Sequence, residues 1–481
     1  MSFTPEETAL IPQIKRFLEW FRGDPEFRDS LLRDNCPPET VERLRRIGVT
    51  FDPDALAPFW RQPALIESIL QGDLGCDSTE DGDSLATFRA DYPLIDLWLR
   101  HVEGRYHLRR AELKRVIDIP RSPAFDAWRK RRIQATRSEL GFFGYLIDHP
   151  ILAFELGDGC SIGCWFCGFA ARKLTRNLDH AQGAGLFRDI ARVCADLFGA
   201  REAGLALLYY GTEPHDNPHY LDFVRDYEAI TGCRVCTSTA VVTDVPWMRE
   251  LLAYYRASRL PWPRLSVLSK SLLLKIHELY SPDELRDVEL LMQMRDQCRP
   301  KITSGRILEE QSDFRAIGDQ AWCGCTIPQG SIACVSGFLI NLVEHTIQLV
   351  SPCYTSKRWP YGYRVFDTTR FTDADEFRRA LERMIDERMP LAPPSDQPAR
   401  FRDDLVYRPV DGGFDLTSPN QFHHFRGNPV YCETAAAIAA GDQNYEQVTD
   451  QIAGRHPGTD MAVISILKSW YDDGFLDEVA T

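Results

Sequence analysis

A chain of 481 residues, 44% hydrophobic and 26% charged, has the composition of an ordinary globular protein and the length for one barrel-sized domain with smaller ones attached. Its formal net charge of -14 speaks against a general nucleic-acid binder, whose footprint is a basic excess. With no apolar run of about 18 residues and no basic-then-apolar start, the sequence predicts a cytoplasmic protein without membrane span or export signal. Its 14 cysteines then read as metal ligands, core residues or reactive thiols rather than disulfides.

In chain order, residues 1–60 read as a helical module. Phe17, Leu18, Phe21, Phe27, Leu31 and Leu32 recur near helical spacing, and a break at residues 34–39 starts a further helix. Residues 61–150 open with turn-rich sequence, including a polar loop at 72–83, and become helical and basic from residue 92. The basic groups Arg105, His107, Arg109 and Arg110, and Arg129, Lys130, Arg131 and Arg132, fit a solvated helix face beside acidic neighbours or a surface that attracts an acidic peptide.

From Ile151 a short apolar run reads as a buried strand, and Cys160, Cys164 and Cys167 follow it at once. Gly157, Gly159 and Gly163 make that turn permissive. A cubane iron–sulfur cluster takes thiolates at several corners, and one compact loop can present three of them. Three buried thiols, or a zinc loop that recruits a distant fourth ligand, are the alternatives.

Beyond the loop helix and strand alternate, with helices at 183–198, 220–230, 247–260 and 271–280 and strands at 206–210, 234–242, 263–268 and 288–294. Such alternation predicts βα units around a parallel sheet, with the working residues at the carboxyl ends of the strands.

Cys160, Cys164, Phe166 and Cys167 match the CxxxCxΦC signature of the radical S-adenosylmethionine (radical SAM) superfamily, which the chain resembles. The resemblance implies an α/β fold. A partial (β/α)6 barrel would span residues 151–370, with a helical N-terminal region and a small α+β, winged-helix-like C-terminal domain at 399–481. It further implies one 4Fe-4S cluster on the three cysteines. The open iron would chelate S-adenosylmethionine, which a reductant such as flavodoxin or ferredoxin causes to split into a 5′-deoxyadenosyl radical. Residues 208–214 are similar to the family's GGEP motif, with Tyr210 and Thr212 as departures. Gly211, Thr212, Glu213 and Pro214 are thereby implied to meet the methionyl ammonium, with Phe166 beside them in the signature. By strand-end position Thr237, Ser238 and Thr239, and Ser269 and Lys270, are further cofactor contacts, or ordinary loop residues.

Residues 331–342 and 346–353 read as a hairpin closing the open side of the sheet. Cys323, Cys325, Cys334 and Cys353 could ligate an auxiliary cluster, but their spacing is not compact and core thiols are the default. Residues 351–353 followed by 359–367 resemble the radical SAM peptide epimerases of the proteusin type. That likeness implies a ribosomally synthesised precursor peptide with a leader as partner. A radical removes an α-hydrogen from one face, and a cysteine thiol returns hydrogen from the other, with Cys353 as first donor and Cys334 as second. The N-terminal helices are likewise similar to leader segments of proteusin and nitrogen-fixation-associated precursors.

Residues 371–398 form a helix and a Pro-rich linker, and the tail adds a β-like segment at 405–409 and helices at 431–440, 445–454 and 459–473. That order is similar to the small winged-helix elements of peptide-modifying enzymes, which pair an extended leader with a sheet edge. A capping or oligomerisation domain is the alternative, and the tail's recognition helix is not basic enough for DNA. For the whole chain, a radical SAM thioether or carbon–carbon crosslinking enzyme and a non-enzymatic iron–sulfur or zinc sensor stay open.

Overall fold

The computed structural model describes residues 3–34, 37–62, 89–116, 122–256, 261–294, 304–309 and 330–478. The polar loop at 72–83 and Cys323 and Cys325 lie outside them. The chain is a mixed α/β protein of two compact units interleaved in sequence, one of residues 1–118 and 236–298, the other of residues 119–235 and 299–481. Among the described residues no helix is long and apolar enough to cross a membrane.

The described strands, in chain order, are β1 (Leu152–Glu155), β2 (Gly157–Asp158), β3 (Arg176–Asn177), β4 (Ser238–Thr239), β5 (Arg264–Val267), β6 (Glu289–Met292), β7 (Gly337–Asn341), β8 (Thr346–Pro352), β9 (Tyr363–Arg370), β10 (Val406–Val410), β11 (Gly413–Thr417) and β12 (Phe422–Arg426). Of the parallel pairings expected of βα units, β4-β5-β6 is present in the first unit, whereas in the second β1 pairs in parallel with β7, a strand read from sequence as part of the closing hairpin. Residues 206–210, read as a full strand, contribute a single parallel bridge from Leu207 to Ala153.

In the first unit the N-terminal helices pack against elements of residues 236–298. Helix Pro5–Gly23 starts on a Thr4–Glu7 capping box and buries Phe17 against Phe27, Phe51 and Trp60. Arg16, 2% exposed, donates to the carbonyls of Ile47, His277 and Tyr280. Fully buried Asp24 accepts from Lys270 at 2.9 Å, and Glu19 meets His277 at 3.0 Å. Buried charges persist only when paired, so these contacts fix the head onto the helix Lys270–Leu279.

The second unit is organised on the four-stranded sheet β1-β7-β8-β9. β1 and β7 pair in parallel from Leu152↔Phe338 to Glu155↔Asn341, and the expected hairpin β7-β8 is extended by β9, with a register shift between Leu349 and Val350. Helix Pro123–Leu140 lies against this sheet and corrects the reading of the basic run. Arg131 and Arg132 are each 1% exposed, and both pair with Glu478 at 3.2 Å. Arg129 donates to the His149 carbonyl at 2.7 Å, so of the four only Lys130 is solvated. Glu139 at the end of the helix meets Arg364 and lies 3.5 Å from Arg402.

The tail of the second unit has a core of its own, with Phe401, Phe414, Leu416, Val448, Leu467 and Trp470 at its centre. Its sheet precedes the helices: β10-β11-β12 is antiparallel, turned at Asp411 and Gly412, where glycine accepts a φ of 66°. Helices Pro429–Ala440, Tyr445–Arg455 and Asp460–Asp472 follow. β12 is an edge strand, and Phe422 on it is 72% exposed.

Candidate functional site

The cysteine loop is a small closed structure. β2 and β3 pair antiparallel and pinch it at its base, and inside that pinch the Cys160 amide donates to the Arg172 carbonyl at 2.9 Å while the Leu174 amide returns to the Cys160 carbonyl at 3.3 Å. Gly159 is required there: its φ is +96°, and a Cβ would stand 2.6 Å from the Lys173 carbonyl. The Cys167 amide donates to the Cys164 carbonyl at 3.2 Å, and the Ala171 amide lies 3.4 Å from the Cys167 sulfur.

A residue that sequence reading passed over holds the loop from outside. Arg306 donates one guanidinium nitrogen to the Cys164 carbonyl at 2.9 Å and another to the Ala171 carbonyl at 2.6 Å, and its own amide reaches the Cys167 carbonyl at 3.0 Å. Hydrogen bonds from a charged donor contribute about 1.5–3 kcal/mol each. Arg306→Ala is therefore expected to leave the fold intact but cut iron retention after reconstitution by roughly tenfold, the scale of outer-shell losses, as read by iron analysis after gel filtration.

The turn after Leu208 is tied to the same loop. Gly211 has φ +68° and leaves room for a carboxylate, since a Cβ would lie 2.8 Å from a Glu155 oxygen. Glu213, 6% exposed, accepts from the His215 amide at 3.2 Å, and its charge reaches Cys160 and Cys164. Pro214 opens the short 3-10 turn that follows. Two further residues were missed: Asp216 accepts from the Ser161 amide at 2.8 Å, and Asn217, 3% exposed, donates to the carbonyls of Leu156 and Leu178. Their only signal in the sequence was position just after the Glu-Pro turn. Phe166 stands on the loop edge-on to Trp165.

The donor set has the chemistry of a cluster site. Cys160, Cys164 and Cys167 are thiols on one loop, each half-buried. Burial, then the neighbouring Cys160 and Cys167, push the Cys164 thiol up to about 12. Bound iron would convert these thiols to thiolates. Among the described residues no three His, Cys, Asp or Glu side chains are gathered to hold a single ion; a cluster asks instead for one thiolate at each of three irons. The residues present fit that group.

A cavity of about 300 Å³ lies at the carboxyl end of β1 and β7, lined by Glu155, Arg172, Asn341, Glu344, Gln348 and Arg370 among others. Burial pushes the Glu155 carboxyl up to about 7, although Asn341 donates to it at 2.8 Å. A carboxyl raised in the fold from an ordinary value near 4.5 contributes its full stability below that value and loses it as pH climbs through about 7. At about 1.4 kcal/mol for each pH unit between the two values, roughly 3 kcal/mol goes. Glu155→Gln should flatten that slope in urea titrations across this pH range.

The remaining site residues divide. Ser238 sits in β4 and Ser269 caps the helix Lys270–Leu279, both in the first compact unit, with the Ser269 hydroxyl accepting from the Leu272 amide at 3.1 Å. Cys334 packs against a core of Ala153, Tyr210, Leu339 and Val350, with Phe169 and Tyr363 beside it. Cys353 is on the other face of the sheet. Paired residues share a face and successive residues alternate; Val350↔Val365 and Pro352↔Tyr363 face Tyr210, while Ser351↔Arg364 face the helix Pro123–Leu140. The Cys353 amide continues the ladder to the Gly362 carbonyl at 2.9 Å, which puts its side chain with Arg364 and Glu139, fully buried. Cys334 and Cys353 therefore face opposite sides of the sheet.

No family model matches the chain. Among solved structures it is similar to BtrN in complex with AdoMet and 2-DOIA, at 13% identity over 41% of this chain and 72% of that one, with a TM-score of 0.27, too low to establish a shared fold. Among curated proteins it is 36% identical over 432 residues to the uncharacterized protein y4wI of Sinorhizobium fredii, covering 87% of this chain and 78% of that protein. A likeness of that extent places the chain in the family of y4wI.

Proposed function

We propose that the chain is a radical SAM enzyme that inverts residues of a ribosomally made peptide from the L to the D form. The observation that carries this reading is the three-thiol loop, with no fourth cysteine on it, fastened by Asp216 and Arg306 and facing Glu213. When bound, the cluster would supply the electron that splits S-adenosylmethionine into methionine and a 5′-deoxyadenosyl radical. The chain's own residues do the rest. Glu213 and the turn at Gly211 orient the methionyl ammonium, and the apolar wall of Ala153, Phe169 and Leu339 excludes water. Cys334, on that wall, returns a hydrogen atom to the α-carbon from the face opposite the abstraction. The outer edge of β12 supports leader binding by strand addition, with Phe422 as an apolar contact.

The test is incubation with the precursor peptide, S-adenosylmethionine and a reductant such as reduced flavodoxin in heavy water. The expected product gains a single deuterium at each inverted residue with no other change of mass. A product that has lost hydrogen would instead indicate crosslinking and overturn the epimerase reading, leaving the radical chemistry in place.

A further inference from the structure

Returning hydrogen from a thiol leaves a sulfur-centred radical, and an enzyme that turns over must refill it. The surroundings of Cys334 contain groups suited to that task. Tyr210, which precedes the Gly211-Thr212-Glu213-Pro214 turn, is 5% exposed, and its buried hydroxyl has no hydrogen-bond partner among the described residues. A buried polar atom without a partner is costly and rare, so it calls for an explanation. Its ring lies 6.5 Å from that of Tyr363, centroid to centroid, and Tyr363 lies 6.2 Å from Tyr361, which is 38% exposed. Cys334 packs on the same cluster as Tyr210 and Tyr363. Burial holds both inner phenols well above their ordinary range, so they keep their protons at neutral pH.

We propose that Tyr210, Tyr363 and Tyr361 form a relay that restores hydrogen to Cys334 after each inversion. The inference rests on the Cys334 reading above. The Tyr210 O–H bond breaks and a Cys334 S–H bond forms, leaving a phenoxyl radical at Tyr210. Tyr363 gives Tyr210 an electron and a proton, and Tyr361 does the same for Tyr363. At the surface the Tyr361 phenoxyl takes one electron from a one-electron reductant of the reduced-flavin class and one proton from water. The net change is one electron and one proton added to the thiyl sulfur.

The experiment compares single and multiple turnovers of reconstituted enzyme on the precursor peptide in heavy water, in Tyr210→Phe and Tyr361→Phe variants. Each should show an initial burst near one deuterium per enzyme and then a steady rate lower by roughly tenfold or more, since burst and steady-state kinetics separate chemistry from recovery. A full steady rate in either variant overturns the relay, and so does loss of the burst in Tyr210→Phe, which would make the ring part of substrate binding or of the fold. Tyr361 is exposed, so its variant tests the relay without disturbing the core. Cys334→Ala should lose inversion from the first turnover; if it does not, the reading beneath the relay falls instead.

Discussion

Cys164→Ala is expected to give a folded protein that binds little iron and cleaves no S-adenosylmethionine. The loop's shape does not depend on that sulfur: Gly159, the Cys160–Arg172 and Cys160–Leu174 hydrogen bonds, and the two guanidinium contacts of Arg306 all act through backbone atoms. The thiol is half-buried, so its removal should change stability by no more than about 0.5 kcal/mol, as for partly exposed sites. Iron should fall from near four per chain to roughly one or less, and activity by more than about 100-fold, since even outer-shell partners of a metal site are worth 10–100-fold. Cys194→Ala is the control. That thiol is fully buried in the helix His180–Phe198, so its loss should cost about 1–2 kcal/mol of stability through a small cavity and leave iron untouched. A Cys164→Ala protein that still holds its iron would remove the loop from the chemistry.

How far the sequence carried this site depended on whether the determining contacts were local. The cysteine spacing, the permissive glycines and the helices from 180 to 279 were legible because each is set by neighbours a few residues away. The basic run was not. Arg131 and Arg132 look solvated until Glu478, 347 residues beyond Arg131, supplies the counter-charge that lets them be buried. Leu207 likewise reads as the middle of a strand, yet the other side of β1 is taken by β7, a pairing the local pattern does not encode. In the tail, β11 and β12 escaped notice because Gly413, Asp415 and the His423-His424 pair weaken the alternation that marks a strand. Arg306 lies far from the loop in sequence and acts on carbonyls, which leave no trace in side-chain pattern.

Cys334→Ala and Cys353→Ala should part company. Both residues follow or precede a strand of one sheet, and sequence alone does not say which face either takes, because a single irregularity flips every later side chain. The register shift between Leu349 and Val350 is such a point. The ladder then sends Cys353 toward Arg364 and Glu139, beneath the helix Pro123–Leu140, on the face of the sheet opposite Tyr210. Cys353→Ala should therefore cost about 1–2 kcal/mol in stability, seen as a lower urea midpoint, while the deuterium delivered per inverted residue stays the same. Cys334→Ala should keep its iron and still consume S-adenosylmethionine, because Cys334 is not on the cluster loop, but yield of the D-residue should fall by more than about 100-fold, the range of a lost proton- or hydrogen-transfer group. The peptide radical left without a donor would be quenched from either side, so the residual label should appear in both L- and D-residues. If Cys353→Ala is the variant that loses the label, the hydrogen comes from the other face of the sheet, and the assignment of the Tyr210 side as the substrate side is wrong.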